Sequence, residues 1–411
     1  MKAAHIRMLA LVPGLAVAVA LTAPASTPVA LAAGHARVLY VSAHAKKAGH
    51  RCSRKAPCRT VAQAMRIAGR GSEILVEHGV YREEVRVTRM VELLGRGRPV
   101  IDAKGRANGI VLAGAAAARS TVRGFIVEDA DEEGILDSGA DYVTISRNVV
   151  RHNDRGAALA HPTGKCAPEG EVPGDCGEGL HLMGASYVTV AANTVIDNSG
   201  GIYLTDETGP TAHNLIARNH VLDNLADCGI TLAGHNTRAV VLASTPGPPS
   251  VASLAPTVGG VYDNTVFENT VNGNGIKGLG AGIGMFGGAP GTAVYDNTIK
   301  ENTAEGNGLG GVTLHSHAPG QDLSGNTIVA NILSDDGIAG NPGGTPGDID
   351  AKLTESAGII IYSAVTPLTS TTVRRNQIST EDIGIWTENA PTIALSANTF
   401  ASTVKTDLVQ K

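Results

Sequence analysis

The chain is 411 residues long, with a formal net charge of −5, 17% charged residues and only 3% aromatic ones. The charge is uneven: residues 34–123 hold 18 Lys and Arg against 6 Asp and Glu, whereas residues 124–411 hold 13 against 32. An acidic body argues against a nucleic-acid partner, since phosphates call for cations. The basic end reads as a solvated Arg-rich surface, with contact to an anionic envelope polymer as the other reading.

From the start of the chain, Lys2 and Arg7 precede an apolar run over 8–21 and then small residues to Ala33. That is the pattern of a secretory signal peptide, residues 1–33, and no later stretch is long and apolar enough to span a bilayer. The mature chain is therefore expected to be secreted, extracellular and monomeric. Five cysteines suit an oxidising compartment. Cys52 and Cys58 bracket a short basic loop and Cys166 and Cys176 a Pro/Gly-rich insertion, which predicts two local disulfides; neither pair has the spacing of a zinc site. Cys228, left over before Gly229, is expected to be a small buried residue at a turn. Residues 34–71 read as a strand at 37–42, the Cys52/Cys58 loop, and a helix over 60–69 capped by Thr60. Strands at 73–80, 85–87 and 91–94 then open the main body, 72–411.

Between Val188 and Leu232 one pattern is written twice. Val188, Val190, Asn193, Val195, Asn198, Gly201, Ile202 and Leu204 are followed by Leu215, Ala217, Asn219, Val221, Asn224, Gly229, Ile230 and Leu232. The Asn pair recurs at Asn148/Asn153, Asn264/Asn269, Asn297/Asn302 and Asn326/Asn331, with single members at Asn376 and Asn398. Each unit holds three short runs of period two, broken by Asn and Gly, so each is three strands and three turns. No unit buries its apolar side alone; the units must coil, each strand pairing in parallel with its copy in the next. Asn is expected at corners because it tolerates the left-handed backbone region and its amide can hydrogen-bond along the stack. The Gly before Ile is expected to mark a further corner.

On these repeats the chain resembles the right-handed parallel β-helix of the pectate-lyase-like superfamily, an all-β single domain, with the N-terminal helix as its cap. Spacings between successive Asn pairs of 26, 33 and 29 alternate with longer ones of 45, 45 and 50. The surplus falls in inserted loops near 157–179, 236–258 and 339–357, all flanking the Gly-Ile-x-Leu strand. Loops raised beside one strand column make a groove, and the resemblance implies that this sheet carries a substrate site.

In Gly-Ile-x-Leu, Ile and Leu point inward, so x points out. The outward column is His181, Tyr203, Thr231, Gly284, Thr313, Ile360 and Trp386, with Asp206, His235, His315 and His317 just beyond the strands. Asp206 and His235 fall on neighbouring rungs, about 4.8 Å apart, where a carboxylate can orient an imidazole as general base. His315 and His317, two rungs further, complete the catalytic candidates or share a metal as His-x-His. Arg155 is expected to neutralise a uronate carboxylate or an enolate-like intermediate, a role Lys277 could equally take. His181, Tyr203, Lys277 and Trp386 are the candidate substrate-binding residues. Glu133 and Asp154, each ahead of a Gly, are placed on adjacent rungs as calcium ligands. The plain alternatives are structural histidines and solvated acidic turns; clustering on one face sets these residues apart.

The chain resembles the NosD-like and exported β-helix repeat proteins more than any one enzyme family. Ser334-Asp335-Asp336-Gly337 and Gly234-His235-Asn236 are similar to polygalacturonase elements, but the order is reversed and Asn-Thr-Asp-Gly is absent, as is the Asp-Pro-His-Asp of mannuronan epimerases. Three functions stay open: a lyase, epimerase or hydrolase acting on a uronic-acid polysaccharide; a non-catalytic glycan-binding or structural protein; and a NosD-like metal-handling protein.

Overall fold

The structure is a computed structural model that describes residues 36–46, 49–153, 178–235, 259–277, 280–287, 290–337, 353 and 355–411. The signal segment, Asp154, Arg155 and the Cys166/Cys176 pair lie outside the described residues. Within them the chain winds through three long sheets of twelve, eleven and eleven strands, with a short three-stranded sheet at one corner. One coil runs Ile135–Ser138, Thr144–Ser146, Val149–Arg151 and returns at Glu178–Met183. The sheet containing Glu178–Met183 has the longest strands, up to Gly310–Ser316, and is called the long-strand sheet below. Its strands pair in parallel and in register, so that Leu136, His181, Tyr203, Thr231, Gly284, Thr313, Ile360 and Trp386 stand in one column. The opposite faces of all three sheets fill the interior with Val, Ile and Leu, such as Ile135, Leu180, Ile202 and Ile230, all essentially inaccessible to solvent. This period-two burial is what the short alternating runs encode.

The corners differ from expectation in three ways. First, the Asn pairs belong to triplets spaced by five, feeding three separate ladders. One runs Asn148, Asn193, Asn219, Asn269, Asn302, Asn331, Asn376, Asn398. A second runs Asn153, Asn198, Asn224, Asn274, Asn307 and ends on Asp336; a third includes Asn264, Asn297 and Asn326, with Asn214 at its head. Asn219 is thus equivalent to Asn269, not Asn264, and two of the long spacings, counted across different ladders, become 50 and 45 residues. Second, the left-handed residue is the one before the Asn: Arg147, Ala192, Arg218, Glu268 and Glu301 have φ between 52° and 56°. The Asn side chain instead holds the corner by accepting at Oδ1 and donating from Nδ2, as Asn269 does to Asn302 at 2.9 Å and to the Ile216 carbonyl at 2.9 Å. Third, the Gly before Ile answers to crowding rather than to dihedral need. A Cβ on Gly229 would lie 2.7 Å from Asn274 Nδ2 and collide with Val271.

At the N-terminal end, Val38–Val41 pairs with Ser72–Glu77, and the helix Val61–Ile67 packs Val61, Ala64 and Met65 against the first coil. Thr60 Oγ1 accepts from the Gln63 N–H, and the Glu83 carboxylate accepts from the N–H groups of Val61 and Ala62 at 2.8 and 2.9 Å. Cys52 and Cys58 form a disulfide and Cys228 is a buried free thiol.

Candidate active site

The outward column does not line an open groove. His181, Tyr203 and Thr313 are 0% exposed, Ile360 is 0% and Trp386 is 1%. The column leaves the core but is covered, and its two halves are covered differently. Toward the C-terminal end Ile360, Tyr362, Trp386 and Leu353 form an apolar cluster apart from the main core. The Trp386 ring, expected as a sugar platform, is instead packed 6.1 Å from the Tyr362 ring, with Lys411 Nζ 5.7 Å from its centroid.

Around His181 and Tyr203, beyond a small apolar cluster of Val111, Leu136 and Met183, the same column is polar. The Tyr203 hydroxyl lies 2.8 Å from His235 Nε2, and the two rings meet edge to face at 5.8 Å. The other imidazole nitrogen, Nδ1, faces Glu207 Oε1 at 3.3 Å. Asp206, expected to orient that ring, accepts from the His235 backbone N–H at 2.6 Å instead. The chain turns after Thr205, so the first carboxylate pins the neighbouring backbone and the second reaches the ring. Burial pushes the Asp206 carboxyl up to about 6, against the lowering effect of the His235 N–H. Thr205 Oγ1 donates to Glu207 Oε2 and lies 2.8 Å from His181 Nε2, and His181 Nδ1 faces Glu133 Oε1 at 3.4 Å. A single polar chain therefore crosses four rungs, from Glu133 through His181, Thr205, Glu207 and His235 to Tyr203.

Two members of this patch escape the sequence reading. Glu207 stands beside Asp206, and nothing in the sequence says which of the two carboxylates reaches the ring. Glu178 stands at the end of an insertion, yet a signal exists: like Glu133 it directly precedes the Gly of its strand, and the register makes the two equivalent. The residue on the next rung from Glu133 is thus Glu178, not Asp154. Glu133, Glu178 and His181 bring ligand atoms within 4.8 Å of one another, all three buried. Two carboxylates with an imidazole suit a transition-metal ion better than the calcium expected, which takes oxygen alone.

Other candidates lie apart. His315 and His317 stand two rungs on and contact each other, Nδ1 to Nε2, at 2.6 Å. Burial, with His317 alongside, holds the His315 ring well below the usual imidazole range. Lys277 is exposed at a turn, its N–H donating to the Leu225 carbonyl. The basic end contains a surface cleft of about 460 Å³ lined by Arg96, Arg98, Arg123 and Arg147.

Comparison with known proteins agrees with this architecture. Residues 103–245 match the right handed beta helix region family and residues 255–411 match the NosD family, described as a periplasmic copper-binding protein. The A-module of the mannuronan C-5 epimerase AlgE4 of Azotobacter vinelandii superposes with a TM-score of 0.52 at 14% identity, over 82% of this chain and 89% of that one. The Dettilon tailspike protein gives 0.51 at 14% identity, over 82% of this chain and 63% of its own. This protein is a right-handed parallel β-helix. Such low identity carries the β-helix fold and not the reaction, and no curated protein matches this β-helix in sequence.

Proposed function

We propose that the protein is an exported enzyme acting on polysaccharide, transferring a proton at a sugar carbon as a lyase or epimerase does. The observation that carries this reading is the Tyr203 hydroxyl 2.8 Å from His235 Nε2, with Glu207 on the opposite ring nitrogen. A phenol and an imidazole in contact can pass one proton between them, and the carboxylate favours the imidazolium that forms when the ring accepts it. Asp206 is a positioning residue, fixing the backbone at which His235 leaves its strand. The structural similarity to a mannuronan epimerase module supports the polysaccharide class at the level of the scaffold. Substrate reaches the couple only when the groups covering Tyr203 are displaced, so binding and uncovering are one event.

The test is incubation of the purified protein in D2O with a panel of uronic-acid polysaccharides. Ultraviolet absorbance reports an unsaturated product, and NMR reports deuterium at C5. Either signal, lost in both Tyr203→Phe and His235→Ala variants that keep the wild-type melting profile, supports the reading. A signal unchanged by both variants overturns the assignment of the couple. Silence on every polymer favours a second reading, a glycan-binding or structural rod, to which the covered apolar half of the column already points.

A further inference from the structure

We propose that the cleft at the basic end of the coil, lined by Arg96, Arg98, Arg123 and Arg147, binds the carboxylate groups of an anionic polysaccharide at a site separate from the covered column. Register shows how the cleft arises. Leu94 pairs with Arg123 and Val100 with Ile126, so residues 95–99 fill a corner that residues 124 and 125 turn one coil later. The surplus, Gly-Arg-Gly-Arg-Pro, lines one side of the cleft and carries two of its guanidinium groups. Gly124 and Arg147 are equivalent corner residues, because Phe125 and Asn148 follow them and the Phe125 N–H donates to Asn148 Oδ1 at 3.0 Å. At Gly124 no side chain fits: a Cβ there would lie 2.8 Å from the Gly95 carbonyl oxygen, and one on Gly95 would lie 2.5 Å from that of Gly124. Two bare backbones in close approach thus floor an opening of about 460 Å³, with arginines on three successive coils around it.

Charge pairing sets this corner apart. Elsewhere arginines meet carboxylates: Arg151 meets Glu128 at 2.7 Å, and Arg218, in the same corner column as Arg147, meets Glu268 of the next coil at 2.6 Å. Arg147 has Gly124 before it in that column and Ala192 after it. Among the described residues none of the four guanidinium groups makes an ion pair or a hydrogen bond, although Glu77 faces Arg96 in register. Glu73 is the one carboxylate in the lining, against four cations. Such a concave surface attracts anions, and a guanidinium takes a carboxylate through two parallel hydrogen bonds. Coils rise about 4.8 Å each, so charges on three of them favour a ligand with one carboxylate after another along the axis over a single small anion. Leu75, buried, and Leu94, half-buried, add an apolar strip against which sugar C–H groups pack. Among the described lining residues none is aromatic, so no ring is there to stack a base, and the body beyond is acidic; both disfavour nucleic acid. The inference is independent of the proton-transfer reading, because the cleft lies on the twelve-stranded sheet and its test reads binding. A polymer bound here and left chemically unchanged would count against that reading and support this one.

The full-length protein is titrated by calorimetry with polygalacturonate, galacturonate monomer, neutral dextran and single-stranded oligothymidylate, each at low and high salt. We expect polygalacturonate to bind, more weakly at high salt, and dextran and the monomer to give no heat. The Arg123→Ala/Arg147→Ala double variant should bind the polymer about tenfold more weakly and with a shallower salt dependence. Its melting temperature should be kept, because both side chains are exposed. Arg374→Ala, toward the other end of the same sheet, should bind as the wild type does. Equal affinity in the double variant and the wild type, or no binding of any probe, overturns the site. Dextran bound as tightly as polygalacturonate overturns its basis in charge, and monomer bound as tightly as polymer overturns the extended ligand. Oligothymidylate bound more tightly than polygalacturonate, and lost in the same double variant, overturns the polysaccharide in favour of nucleic acid.

Discussion

The two halves of the long-strand column share one backbone, one register and one direction, and differ only in what stands at the outward positions. At His181 and Tyr203 those positions hold an imidazole and a phenol linked in series with the flanking Glu133, Glu207 and His235; at Ile360 and Trp386 they hold an apolar cluster. A coil fixes where a side chain goes but not what it is, because the hydrogen bonds that build the coil come from the backbone and from corner side chains, mostly Asn. The outward face is thus free to hold chemistry at one end and packing at the other. Stability should depend mainly on the apolar half and reactivity on the polar half.

Trp386→Ala breaks this comparison most severely. Removing a buried ring from the apolar half should cost about 3–5 kcal/mol in chemical denaturation, while the fraction still folded retains any activity. A loss of activity without loss of stability would mean that the ring touches substrate.

Asp336→Asn comes next. In its ladder Asn307 donates from both N and Nδ2 to Asp336 Oδ1, at 3.0 and 2.8 Å, and the Asp336 N–H donates to Glu381 Oε1 at 2.8 Å. Where every earlier member offers an amide N–H, Asp336 Oδ2 and Glu381 Oε2 are buried without a hydrogen-bond partner. The ladder position asks for a donor, which a carboxyl supplies only when protonated. Burial, with Asp335 and Glu305 nearby, raises Asp336 to about 7, and burial with Asp336 itself raises Glu381 to about 8. Both folded values exceed the unfolded ones, so the folded state holds more protons above about pH 4 and stability falls as pH rises toward 8. Asp336→Asn should be more stable than wild type at pH 8 by on the order of 1–3 kcal/mol, the gap closing toward pH 4. A gap independent of pH would remove the protonation argument.

Tyr203→Phe sharpens the contrast from the other side: one buried hydrogen bond lost, about 1–2 kcal/mol in thermal denaturation, set against the loss of turnover given above. Lys277→Ala, at an exposed turn, should change stability by less than about 0.5 kcal/mol; a larger drop in polymer binding would give this lysine the neutralising role.

The coil was legible because Val, Ile and Leu at alternate positions and Asn at intervals of five are the direct imprint of strands and ladders. The third member of each triplet was less so: Asn214, Asn274 and Asn307 each look solitary until the pairs are recognised as overlapping windows on a triplet. Left-handed corner residues leave no compositional mark, since Arg147, Ala192 and Glu268 all take that conformation once the Asn beside them is anchored on both sides. At the candidate site the column itself was readable from Gly-Ile-x-Leu, and so His181, Tyr203 and His235 were named. Cover was not, because whether an outward residue meets water depends on segments distant in sequence. Nor was the choice of Glu207 over Asp206, which rests on one bend after Thr205.

The Asn ladders have a polarity. Every Nδ2-to-Oδ1 hydrogen bond between neighbours of the ladder from Asn148 to Asn398 runs toward the next coil, while the second Nδ2 proton goes to a backbone carbonyl of the preceding coil, as from Asn269 to Ile216. Side-chain amides aligned head to tail reinforce one another electrostatically along the axis. A coil taken out and reinserted upside down would present acceptor to acceptor at one junction and donor to donor at the other. Whole coils can therefore be duplicated or deleted in frame, but never inverted.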